Sequence, residues 1–218
     1  MGKIAALFVL EDGPYSEIKN VELWGISRDA RKYQGPWPVV AHPPCERWGR
    51  YWSGGPSVKV RKKLGDDAGC FASALKSVRK YGGVLEHPEA SHAWKTFGLA
   101  KPPKSGGWIS ADKYGWTCCV EQGAYGHKAR KATWLYVVGA SHLPELKWGK
   151  RPGVFLRLDD GFHSSEERAI APKAEPRQKL SKRQRLETPL PFRNLLLRIA
   201  GSVRGKACPK KKSRQFLN

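Results

Sequence analysis

Acidic side chains are scarce in this sequence: 19 Asp and Glu stand against 40 Lys and Arg, for a formal net charge of +21. Such an imbalance favours phosphate-rich partners, nucleic acid first. The last 46 residues, from Lys173, carry 14 Lys and Arg against two Glu, more than half of that excess. A solvated basic tail without a specific partner is the plainer alternative. Long apolar runs are missing as well. The longest, Ile4 to Leu10, falls far short of the roughly 20 residues that cross a membrane, and nothing reads as a secretory signal. Five cysteines, an odd number at irregular spacing, argue against a disulfide framework and suit a reducing cytoplasm. Internal repeats are absent. Oligomeric state is not legible.

The 218 residues are enough for one α/β domain with appendages. The division expected is an α/β domain over 1–150, a loop-rich linker over 151–187, a C-terminal helix over 188–205 and a basic, disordered tail over 206–218. Val39 to Glu86 organises the rest. Pro38 to His42 is a short apolar run stopped by Pro43-Pro44, which predicts a buried strand. Asp66 and Asp67 can cap a helix in which Ala68, Phe71, Ala72 and Leu75 recur on one face. Gly82-Gly83 ends it, and Gly83 to Glu86 begins a second strand. Parallel strands joined by a helix end on the same sheet edge, where ligands bind in open α/β sheets. Cys45 and Glu86, 41 positions apart, are thereby predicted to converge.

Ile4 to Leu10 and Val21 to Ile26 read as earlier strands. Their link, Glu11 to Asn20, is too short for a usual helical crossover, so either the strands pair like a hairpin or the helix is lost. Beyond Cys45, arginine and tryptophan interleave in Arg47-Trp48-Gly49-Arg50 and Trp52, a pattern suited to phosphates and stacked bases. The competing reading has Trp48 and Trp52 capping the core. Gly54-Gly55 suggests a mobile flap leading to the basic run Lys59 to Lys63. Trp94 to Lys104 reads as an irregular connection. Gly115 to Gln122 and Ala132 to Val138 predict an antiparallel hairpin whose tip carries His127, Lys128, Arg130 and Lys131. Ala171 to Lys182 reads as linker. Thr188-Pro189 opens a last helix with Phe192, Leu195, Leu196 and Ile199 as its apolar stripe.

Taken in order, His42-Pro43-Pro44-Cys45 resembles the Pro-Pro-Cys nucleophile loop of DNA (cytosine-5) methyltransferases. Glu86-His87-Pro88 is similar to their Glu-Asn-Val element, and Gln122 with Arg130-Lys131-Ala132-Thr133-Trp134 to their late basic motif. Val21 to Ala30 loosely resembles the second strand of their cofactor domain. The resemblance spans about residues 4–140 and is nearest to short, phage-type members, which would place the chain in a host cytoplasm. It implies a Rossmann-like (methyltransferase-like) α/β fold: a mostly parallel sheet with a late antiparallel hairpin, followed by the basic C-terminal helix and tail.

The resemblance also implies a reaction. Cys45 would attack C6 of a pyrimidine, making C5 electron-rich enough to take a methyl group from S-adenosylmethionine. Cations such as Arg47 or Arg130 would favour its thiolate. Glu86 would hold the N3 edge, and Arg130 would position the base as a third catalytic residue. Asp12, Gly13, Asp29 and Pro43 would line the cofactor site. Arg47, Trp48, Arg50, His127, Lys128 and Lys131 would contact nucleic acid, with a duplex target flipped out. Two departures stand out. The family's cofactor loop is glycine-rich, whereas Leu10 to Glu17 holds one glycine followed by proline. Nor is there a long insertion for target recognition, which points to single-stranded or loosely recognised nucleic acid, or to a nucleotide.

Taken singly, the residues have blander readings. Cys45 could be an inert core thiol and Glu86 a loop-bracing carboxylate. His42 and Cys45 with Cys118-Cys119 could ligate zinc, though adjacent cysteines chelate poorly; no metal is expected. His87 and His127 read as structural or phosphate-contacting, and Cys70 as core. Two further functions stay open: a non-catalytic nucleic-acid-binding protein that kept the base pocket, and a base- or nucleotide-processing enzyme that uses no S-adenosylmethionine.

Overall fold

The structure, a computed structural model, describes residues 2–54, 59–150, 152, 156 and 179–203. Gly55, most of the linker and the 206–218 tail therefore lie outside the described residues. Seven strands form one mixed sheet: β1 (Ile4–Leu7), β2 (Val21–Trp24), β3 (Val39–Ala41), β4 (Gly83–Pro88), β5 (Ile109–Ser110), β6 (Trp116–Glu121) and β7 (Ala132–Val138). Their order is β2-β1-β3-β4-β7-β6-β5. The first four are parallel, and β7 runs antiparallel to both β4 and β6. The helices are α1 (Cys70–Tyr81), α2 (His92–Thr96), α3 (Lys182–Leu186) and α4 (Leu190–Gly201).

The strand–helix–strand order of the central unit is as predicted, but α1 starts at Cys70. Ala68 lies before it with φ 54° and Ala72 is exposed, so the buried face is Phe71, Ala74, Leu75 and Val78. β3 is wholly buried, and β4 pairs beside it in parallel after α1. Asp67 caps α1: its carboxylate accepts from Gly69 N (3.0 Å), Phe71 N (2.8 Å) and Trp48 Nε1 (2.8 Å). Gly83 has φ +119°, and a Cβ there would meet Val39 O at 1.9 Å. Only glycine lets β4 start so close to β3.

Each sheet face carries its own cover. Phe71, Leu75 and Val78 of α1 pack on Ala5, Val39, Leu85 and Tyr136. On the other face Phe192, Leu195, Leu196 and Ile199 of α4 pack on Ile4, Val40, Val84 and Leu135. Each such side chain, fully buried, contributes about 1.5–3 kcal/mol.

Several expectations need correction. β1 stops at Leu7 because Phe8 takes φ 59°, and β2 stops at Trp24, leaving Ile26 95% exposed. β1 and β2 are parallel, so they are no hairpin: turns replace the crossover helix across Glu11–Asn20. α2 opens the stretch read as irregular, capped by Ser91, whose hydroxyl accepts from Ala93 N. α3, with a Ser181–Gln184 capping box, falls inside the linker expected over 151–187, and the helix expected over 188–205 is Leu190–Gly201.

Candidate active site

The geometry of the site follows from strand direction. β3 and β4 end on one edge, so His42, just past β3, reaches Glu86 in β4: Nδ1 lies 2.9 Å from Oε2. The two side chains are 14% and 13% exposed. β7 is antiparallel to β4, with Thr133 beside Pro88. The β6–β7 connection therefore comes to the same edge. It brings Gln122, whose Nε2 donates to Glu86 Oε1 (3.1 Å) and Thr133 Oγ1 (3.0 Å). From the β1–β2 link comes Tyr15, buried, with its hydroxyl 2.8 Å from His42 Nε2. An ionised carboxylate can only accept, so His42 carries a proton on Nδ1.

Cys45 is a free, half-buried thiol held in a turn, its carbonyl accepting from Trp48 N (3.0 Å) and Gly49 N (2.8 Å). Burial and then the Glu86 charge push the thiol above its ordinary value, while Lys131 pulls it back. Burial pushes Glu86 up too. The His42 hydrogen bond, followed by attraction to His42, Lys131 and His87, outweighs that and leaves the carboxyl below its ordinary value. Lys131 is lowered by burial against the pull of Glu86, Cys45 and Glu187. Its backbone has φ 44°, and its Nζ donates to Glu187 O at 3.0 Å. Thiol, carboxylate and ammonium thus act on one another at a single sheet edge. No family model, curated protein or solved structure matches this chain.

Other predicted site residues are spread more widely. Lys131 is a cation that acts on Cys45. Arg47 donates to Trp52 O (3.4 Å) and pairs with Glu46 (3.8 Å), while Arg130 pairs with Glu121 (3.4 Å). Trp48 is 4% exposed against Phe71 and Phe97, the core-capping alternative. His127 is buried, its Nδ1 3.0 Å from Ala129 N. Arg50 and Lys128 are exposed. Cys118 and Cys119 face opposite cores, which separates the proposed zinc ligands. Among the described residues no group of His, Cys, Asp and Glu could hold a metal ion, and no helix is long and apolar enough to cross a membrane.

The residues assigned to S-adenosylmethionine make contacts within the chain or differ in exposure. Asp29 caps its own turn and pairs with Arg31 (2.7 Å). A Cβ on Gly13 would meet the Leu10 carbonyl at 3.0 Å, so its bareness serves a turn. Pro43 is buried and Asp12 exposed. Past the ends of β1 and β2 the chain closes on itself. Glu11 accepts from Ser27 N and Oγ, and a Cβ on Gly25 would meet Val9 O at 2.7 Å.

Tyr15 has no role in the sequence reading; His42 enters it only within the Pro-Pro-Cys stretch and as a possible zinc ligand, and Thr133 only within the late basic motif. Gln122 was quoted only within the late basic motif. His42 could have been found as the first polar group after a buried strand. Tyr15 lies in a turn-rich link where no spacing marks it.

Proposed function

We propose that this chain acts on a pyrimidine base of nucleic acid by covalent activation at C6, the chemistry of the DNA (cytosine-5) methyltransferases it resembles. Convergence of Cys45 and Glu86 with Lys131 on one sheet edge carries the reading. The Cys45 thiolate adds to C6, and the C5=C6 electron pair moves through the ring onto N3. N3 takes a proton at Glu86, and C5 becomes nucleophilic. Lys131 favours the thiolate. When C5 takes a solvent proton and loses its original one, reversal expels the thiolate and the net result is hydrogen exchange. The test is loss of the cytosine H5 signal from a single-stranded oligonucleotide in heavy water. Wild type exchanges H5, whereas Cys45→Ser does not and still binds the strand. Equal exchange by both proteins rejects the reading.

The closed β1–β2 region favours base activation without S-adenosylmethionine over methyl transfer to C5. Calorimetry distinguishes them: the account expects no heat of binding for S-adenosylmethionine at about millimolar ligand, and a Kd in the usual micromolar range restores methyl transfer. The basic surface, Arg50 and Lys128 included, supplies the attraction for the strand.

A further inference from the structure

Base activation places a demand on Glu86 that the carboxylate does not meet alone. N3 must receive a proton as the thiolate adds, yet Glu86 rests ionised: its Oε2 is bonded to His42 Nδ1 (2.9 Å) and its Oε1 to Gln122 Nε2 (3.1 Å). Gln122 is a neutral amide and gives up no proton. Cys45 reacts as a thiolate, its proton gone to solvent. Tyr15 holds its proton firmly, because burial and the Glu86 charge raise the phenol. Lys131 acts on Glu86 through its charge, while its Nζ is bonded to the Glu187 carbonyl. His87 is buried with Nδ1 on Ser91 Oγ (2.8 Å), and burial lowers it to about 4. Arg193 faces Tyr15 and bonds the Pro14 carbonyl. Among these groups only His42 touches Glu86 and holds a transferable proton.

Resting on the base-activation reading, we infer that His42 is the proton source for N3, delivering it through Glu86, and that Tyr15 holds the ring in line. In the working form both ring nitrogens are protonated, Nδ1–H donating to Glu86 Oε2 and Nε2–H to the Tyr15 oxygen. As C6 is attacked, the His42 Nδ1 proton moves to the Glu86 carboxylate, and the carboxyl so formed passes a proton to N3, leaving a neutral imidazole and an ionised Glu86. When the adduct reverses, the proton returns along the same path. No proton is consumed and no oxidant is needed. Tyr15 is a positioning residue, since among the described residues its hydroxyl bonds only the imidazole.

The test is the H5 exchange rate of wild type and His42→Asn across pH. Asparagine keeps an N–H for Glu86 but has no proton to transfer. The variant should bind the oligonucleotide as wild type does and exchange about a hundredfold slower near pH 7, within the usual range for a lost general acid. The gap should narrow as pH falls into the carboxyl range, where solvent protonates Glu86 directly. Tyr15→Phe should lose less, about tenfold or under, with the same narrowing. A variant gap constant across pH, or no gap, overturns the relay and leaves base activation standing. Absence of wild-type exchange rejects base activation and the relay together. If His42→Asn fails to fold, His42→Ala replaces it: exogenous imidazole should restore exchange, and failure to restore it in a folded variant overturns the relay.

Discussion

Glu86 and Lys131 act on the Cys45 thiol with opposite sign, and each can be removed separately. Glu86→Gln should bring the thiol down toward its ordinary value and speed alkylation of Cys45 by iodoacetamide near pH 7. Lys131→Met should slow it. A shift of about one pKa unit is tenfold in thiolate at a pH below both values, so threefold to tenfold changes are expected, read peptide by peptide. Cys70 is the internal control, because the charges acting on it are Asp67, Arg31 and Asp29. Unchanged Cys45 rates in Glu86→Gln would separate the acid from the thiol. pH gives a further check on stability. Glu86 is held below the ordinary carboxyl range, so the stability it contributes is present above the unfolded value and is lost as pH falls through the folded value. The wild-type minus Glu86→Gln difference in Tm should shrink in acid, and a difference constant with pH would contradict the assignment. Cys45 and Glu86 were legible as a pair because strand direction alone brings them together. Tyr15 and the part played by Lys131 were not, because side-chain networks across four segments leave no periodicity.

At the scale of elements, β3, α1 and β4 hold the site. Asp67 joins the start of α1 to Trp48, so Asp67→Ala removes a cap and orphans a buried indole N–H together. A loss of about 1–3 kcal/mol is expected, measured by urea denaturation, and a change under about 0.5 kcal/mol would contradict the cap. This unit could be read from sequence because short apolar runs bounded by Pro and Gly leave few alternatives. The hairpin of β6 and β7 was equally plain. α2, β5 and α3 were missed, having five, two and five residues, too few for a periodic signal. The β1–β2 connection was legible only as a problem of length. Its answer, turns packed beneath Tyr15, depends on contacts with α4 some 179 positions away, as in Arg193 to Pro14.

For the whole molecule the dominant property is charge. At +21, binding to a polyanion should weaken steeply with salt. Deleting Lys206 to Asn218 removes five cations and should flatten the slope of log K against log salt by up to about 3–4 on single strands; an unchanged slope would remove the tail from the interface. Charge alone, however, does not separate an enzyme from a binder, and only bond formation does. The decisive measurement is mass spectrometry of the protein after incubation with an oligonucleotide carrying 5-azacytosine, whose ring nitrogen in place of C5 takes a proton once C6 is attacked. The account predicts a covalent adduct on the Cys45 peptide that is lost in Cys45→Ser; a bound strand with no adduct, or one on another residue, would contradict it.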